Sequence, residues 1–157
     1  MCDKLVCDLG CSECDIFDLS SKSDVSVCMT FEGVKFLVKK LVDYVDSSRR
    51  YLSRVYGIDN NSLVLAVWLA NYLGIVAGRI GKNLKHSIVL SCLDSDLELK
   101  RLNFRANKNK NFLLVSLLSW NDDKRICDFS SLNIDFNQWV VFPWEDDLEI
   151  KRGVKDR

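Results

Sequence analysis

Trp139-Val140-Val141-Phe142-Pro143-Trp144-Glu145 is the stretch on which the fold turns. Two tryptophans, a phenylalanine and the only proline of the chain fall within it, and Asp146 and Asp147 follow. Val140, Val141 and Phe142 favour an extended backbone, because β-branched and aromatic side chains pack well on a pleated surface. Pro143 has no N–H to give to a ladder, so the strand ends there or runs along a sheet edge. Flat indole faces at a strand end suit stacking on a planar ligand. The same residues also suit an aromatic edge that closes a core.

Upstream, helical and extended patterns alternate. Thr30 is placed to cap a helix, Glu32 suits the positive end of its dipole, and Val34, Leu37, Val38, Leu41, Val42 and Val45 recur at helical spacing, which predicts a helix over 30–45. A strand over 52–58 follows and ends at Gly57-Ile58-Asp59. Ser62 then caps a second helix that runs to Leu73 and stops at Gly74. Strands are expected over 75–80 and 87–93, and a short one over 132–136. Phe112 to Leu118 is a nearly continuous apolar run, the pattern of a parallel strand covered on both faces. Leu63 to Ile80 is the most apolar stretch, but Asn71, Gly74, Gly78 and Arg79 interrupt it. It reads as a buried helix running into a strand rather than a membrane span. Strands alternating with helices imply an α/β fold on a parallel sheet.

Composition bounds the class. A chain of 157 residues can bury a core and fits one domain. Lys+Arg and Asp+Glu both number 22, so net charge gives no pull toward nucleic acid or an anionic membrane. Met-Cys-Asp-Lys at the start has no basic segment leading into an apolar one, so no secretory signal is read. The expectation is a soluble, cytoplasmic protein with no nucleic-acid or membrane partner.

Seven cysteines crowd toward the start, at Cys2, Cys7, Cys11, Cys14 and Cys28, with Cys92 and Cys127 beyond. An odd number without a signal peptide argues against a disulfide framework. Cys7, Cys11 and Cys14 have the spacing of a radical iron–sulfur motif, but 157 residues cannot build the large barrel that chemistry requires. Four thiolates from Cys2, Cys7, Cys11 and Cys14 could close a tetrahedral zinc site, though the paired CxxC pattern is missing. The reading adopted is a poorly ordered, Cys-rich arm over 1–28 with reduced cysteines and a joint at Ser20–Asp24. A body over 29–150 and a charged tail over 151–157 complete the expected division.

The Trp139–Glu145 run resembles the C-terminal signature of the type I purine phosphoribosyltransferases, the xanthine-guanine and archaeal hypoxanthine branch. The string Tyr56–Ala70 looks like that family's first strand, pyrophosphate loop and following helix, and the basic stretch 94–111 lies where the family carries a flexible loop. The resemblance spans about residues 30–147 and implies a shortened phosphoribosyltransferase-like (PRTase type I) α/β fold. It also implies that Trp139 stacks on a purine and that backbone at Val140 reads the base edge. An active member would join a purine base to phosphoribosyl pyrophosphate with magnesium, in purine salvage, and could form a homodimer.

The phosphate-binding parts depart from that pattern. The pyrophosphate loop falls on Asp59, Asn60, Asn61 and Ser62, without glycine or arginine, and Asp59 sets a negative charge beside the expected anion. These residues also fit a plain turn and helix cap. Ser116 and Leu117 stand where the family has two acidic residues, and the ribose-phosphate loop falls on Asn121, Asp122, Asp123 and Lys124. No glycine lies between Gly81 and Gly153, so a glycine-built phosphate nest is missing there. Only 126–138 remain where the family inserts a further helix and strand. The expectation is a non-catalytic relative that keeps a purine or nucleotide site at Trp139. The alternatives are an active enzyme with phosphate sites rebuilt from Asn60, Asn61, Ser62, Asp122 and Asp123, and a scaffold that keeps only the fold.

Other candidates point less sharply. His86 is the only histidine and reads as a surface residue opening a strand. Arg101, Arg105, Lys108 and Lys110 around Phe104 form a basic patch that reads as a solvated loop. Trp68, Tyr72 and Trp120 have no spacing that separates a ligand site from core.

Overall fold

The computed structural model describes residues 16–18, 26–48, 50–93, 111–120, 126–134 and 139–145. In chain order the elements are strands β1 (Phe17–Asp18) and β2 (Ser26–Met29), helix α1 (Phe31–Ser47), strand β3 (Arg54–Gly57), helix α2 (Asn60–Leu73), and strands β4 (Val76–Arg79), β5 (Ser87–Leu93), β6 (Phe112–Trp120), β7 (Phe129–Ile134) and β8 (Trp139–Val141). The chain divides into two compact units, 1–36 with 137–157, and 37–136.

In the first unit, β1, β2 and β8 form a three-stranded sheet in that order. β2 runs parallel to β8, with Ser26 opposite Trp139, Val27 opposite Val140 and Cys28 opposite Val141. Alternate residues Val27 and Met29 are buried, the period expected of a strand with one covered face. β1 and most of β2 thus come from the stretch read as an arm; residues 1–15, with Cys2, Cys7, Cys11 and Cys14, and residues 19–25 lie outside the described residues. The hydroxyl of Thr30 accepts the backbone N–H of Gly33 at 2.9 Å, the expected cap of α1. Gly33 is required by packing: a Cβ there would sit 2.4 Å from the carbonyl oxygen of Ile16.

The second unit holds a five-stranded, all-parallel sheet in the order β4-β3-β5-β6-β7. β6 is buried from Phe112 through Ser119, as expected of an interior parallel strand. Each fully buried Leu or Val there contributes roughly 1.5–3 kcal/mol of transfer free energy. Residues 37–47 of α1 pack on one sheet face. The Tyr44 ring stacks on Phe129 at 4.3 Å, the Ser131 hydroxyl donates to the Leu37 carbonyl at 2.8 Å, and the Lys40 ammonium donates to the Ser131 carbonyl at 2.6 Å. Helix α2 lies on the same face, because its Ser62 meets Cys92, which the strand registers align with Phe129 and Ser131. On the opposite face Val89, Phe112 and Leu114 pack with Cys127 and with loop residues Ile58, Ile80, Leu84 and Ile126.

Most expected elements are found. The strand expected over 132–136 instead begins at Phe129, because the Asp128 carboxylate accepts the Leu114 N–H at 2.8 Å and fixes the start of the β6–β7 ladder. Residues 135–138, between β7 and β8, lie outside the described residues, and the fold is shortened as expected. The apolar stretch 63–80 is the body of α2 followed by β4, and no described helix is long and apolar enough to cross a membrane.

Candidate functional site

In open parallel sheets, ligands meet the carboxyl ends of the strands and the helix N-termini that follow them. The turn from β3 to α2 is such a place. Gly57 ends β3, and a Cβ there would sit 2.4 Å from the backbone nitrogen of Leu63 and 2.5 Å from its Cα. The glycine therefore lets the first turn of α2 close tightly on the strand. Ile58 extends the ladder by donating its N–H to the Leu90 carbonyl at 3.2 Å.

Asp59 is extended, with φ −129° and ψ −175°, and its carboxylate accepts the Ser62 N–H at 2.7 Å. The Asp59 carbonyl accepts the Leu63 N–H at 2.9 Å, the first bond of the helix. The cap is therefore Asp59, and the expectation that Ser62 caps α2 is corrected. Its hydroxyl is turned inward, fully buried, and accepts the Cys92 N–H at 3.1 Å. β3 reaches only Gly57, opposite Leu90, so the β5 backbone outruns its neighbour and a helix side chain takes the ladder's place. Gly74, with φ +66°, ends α2 as expected.

The loop thus fits a tight turn and helix cap. The protein's own carboxylate holds one of the N–H groups that an anion would use, and it carries negative charge at the positive end of the helix dipole. Parallel pairing of β3 and β4 brings in a residue that sequence reading missed. Arg79, at the end of β4, lies opposite Gly57, and its guanidinium donates to the Asn60 side-chain oxygen at 3.5 Å. Its signal was its position as the last residue of the strand after the loop helix.

At the acidic-pair position, Ser116 and Leu117 are both fully buried in β6, and the Ser116 hydroxyl shares a hydrogen bond with that of Ser130. Neither side chain can ionise there. No group of three or more His, Cys, Asp or Glu able to hold a metal occurs among the described residues. Asn121, Asp122, Asp123 and Lys124 lie outside the described residues, as do Arg101, Phe104, Arg105, Lys108 and Lys110. His86 is exposed immediately before β5, with φ 55° and its ring edge-on to Tyr51 at 5.8 Å, a strand-opening role as expected.

Among the described residues β8 is the last strand of its sheet, with β2 on one side, and it ends at Val141, two residues before Pro143. Both expectations for that proline are met. Val140, Val141 and Phe142 are buried. Beyond them the chain closes on itself: the Glu145 carboxylate accepts the Phe142 N–H at 2.7 Å, and the Glu145 N–H donates to the Phe142 carbonyl at 3.0 Å. The Trp144 indole stacks on Phe142 at 5.2 Å with 17° between planes. Phe142 and Trp144 thus serve an aromatic edge, while Trp139 holds the first register position of β8.

The sequence matches no protein-family model and no curated protein. Solved structures do share its fold. A purine phosphoribosyltransferase from Pyrococcus horikoshii Ot3 superposes with a TM-score of 0.63 at 17% identity, covering 79% of this chain and 96% of that one. The xanthine-guanine-hypoxanthine phosphoribosyltransferase of Helicobacter pylori gives 0.60 at 17% identity, covering 80% and 97%. A hypothetical protein from Neisseria gonorrhoeae with bound ppGpp gives 0.63 at 12% identity, covering 84% and 96%. A parallel five-stranded sheet with its helices on a shortened chain is thus the α/β fold of the purine phosphoribosyltransferases.

Proposed function

We propose that this chain is a phosphoribosyltransferase-fold protein without turnover that keeps a site for a purine base or nucleotide at Trp139 and Val140. The observation that carries the loss of turnover is the Asp59 carboxylate 2.7 Å from the Ser62 N–H, where the resemblance sets a pyrophosphate. A dianionic group would have to displace a like charge from the helix end it needs. The uncharged, buried Ser116 and Leu117 support the same reading.

The retained base site rests on β8. Its second edge has no strand partner among the described residues, so backbone donors and acceptors there can read the rim of a flat heterocycle. The similar folds belong to proteins described as acting on purines or as binding ppGpp, which favours guanine-type ligands as the first to try. The experiment is calorimetric titration with guanine, xanthine, GMP, IMP and ppGpp. Binding by the wild type that Trp139→Ala weakens supports the site. No binding, or binding that Trp139→Ala leaves intact, removes it.

Arg79 favours a second reading, an active enzyme with rebuilt phosphate sites, because its guanidinium supplies beside Asn60 the cation that the loop itself lacks. Turnover with phosphoribosyl pyrophosphate decides between the two.

A further inference from the structure

We infer that the amino-terminal end of the five-stranded sheet is a binding surface for single-stranded nucleic acid. Charge is spread unevenly along this chain. Between Ser47 and Leu93 there are six Lys and Arg residues and a single acidic one, Asp59. Asp59 follows the carboxyl end of β3, at the far end of that strand from Arg54, its first residue. The zero net charge of the whole chain averages over this excess, whereas a ligand meets the local field.

Strand pairing gathers the cations. Arg54 stands in register with Ser87 and, through it, with Phe112, the first residues of β5 and β6. The Ser53 N–H donates to the His86 carbonyl at 2.8 Å, which joins the segment before β3 to the segment before β5. Arg50 and Tyr51 therefore share one end of the sheet with Lys85 and His86. The Arg50 guanidinium reaches across to the Phe112 carbonyl at 3.4 Å, and Lys82 belongs to the same loop as Lys85. Arg50, Arg54, Lys82 and Lys85 are exposed, and none forms an ion pair with a described residue. The Asp128 carboxylate, just before β7, accepts the Leu114 N–H instead.

The aromatic groups select the occupant. Tyr51 is 78% exposed, and its ring meets that of the exposed His86 edge-on at 5.8 Å. A bare aromatic ring among cations offers a base something to stack on while the cations take the flanking phosphates. A duplex keeps its bases inside and an anionic bilayer has none, so neither gives Tyr51 a base to stack on. Three to four phosphates neutralised by these side chains would make log affinity fall with log salt at a slope of about 2–3.

Fluorescence anisotropy of a labelled oligouridylate of about a dozen nucleotides, titrated with the full chain, tests this. Uracil is not a purine, so the probe is independent of the site proposed at Trp139. The wild type is expected to bind at low salt and to lose about twentyfold or more in affinity between about 50 and 200 mM salt. Arg54→Glu and Lys85→Glu are each expected to weaken binding about tenfold and to flatten the salt dependence. Tyr51→Ala is expected to weaken it about fivefold or more with the salt dependence kept. Lys39→Glu, on the exposed side of α1, is expected to leave binding as it is. Circular dichroism and melting temperature should match wild type for all four. A wild type that leaves the probe free at low salt overturns the inference, whether or not it binds phosphatidylserine vesicles. So does binding that survives both charge reversals, or that Tyr51→Ala leaves intact, which would mark a surface for any polyanion.

Discussion

The Asp59 carboxylate accepts the Ser62 backbone N–H at 2.7 Å and closes the first turn of α2. One short bond thus settles two matters, how the helix begins and what occupies its positive end. Asp59→Ala removes the acceptor and is expected to lower stability by about 0.5–2 kcal/mol. Asp59→Asn keeps an acceptor in the same place and should lie closer to wild type. Urea unfolding of the three proteins measures this; equal midpoints for Asp59→Ala and wild type would contradict the cap.

Gly57 permits that turn. A methyl group added there would press on the Leu63 backbone at 2.4 and 2.5 Å, and backbone cannot move aside as a side-chain tip can. Gly57→Ala should therefore destabilise by at least the roughly 1–3 kcal/mol typical of overpacking. By contrast, Gly81→Ala meets no atom within 4 Å and should be near neutral. Thermal melts of the pair test the contrast, and similar melting temperatures would show that the close approach is not required.

Tyr44 gives the fold an alkaline weakness. Burial raises its phenol pKa, the nearby Asp128 carboxylate raises it further, and Arg50 offsets part of this. The folded chain therefore holds the phenol proton more tightly than the unfolded chain. That contribution is complete below the ordinary tyrosine value of about 10, and it is lost as pH rises through the folded pKa. Tyr44→Phe keeps the ring on Phe129 and removes the titrating group. Its stability should fall less steeply than that of wild type above about pH 10. Parallel stability curves would contradict this.

Much of the fold is legible in the residues because helix and strand periods are local signals. The stripe from Val34 to Val45, the Gly74 stop and the apolar run of β6 each specify their element without outside help. The pairing of Ser26–Met29 with Trp139–Val141 was not legible: its partners lie more than a hundred residues apart, and the stretch before β2 has little periodicity of its own. The site was read in part. The absence of glycine and the charge of Asp59 were visible in the chain, and the structure adds that this charge is tied to Ser62. Arg79 came to light only through the β3–β4 register, and the inward turn of Ser62 only through the early end of β3. Both depend on where strands stop relative to each other, which no local pattern records.

Incubation of the pure protein with phosphoribosyl pyrophosphate, magnesium and each of guanine, xanthine and hypoxanthine tests the central claim most directly, with released pyrophosphate and formed nucleotide followed together. The account predicts no nucleotide above the enzyme-free control. Nucleotide formed at an enzyme-like rate would contradict it and would make Arg79 and the α2 N-terminus parts of a working phosphate site.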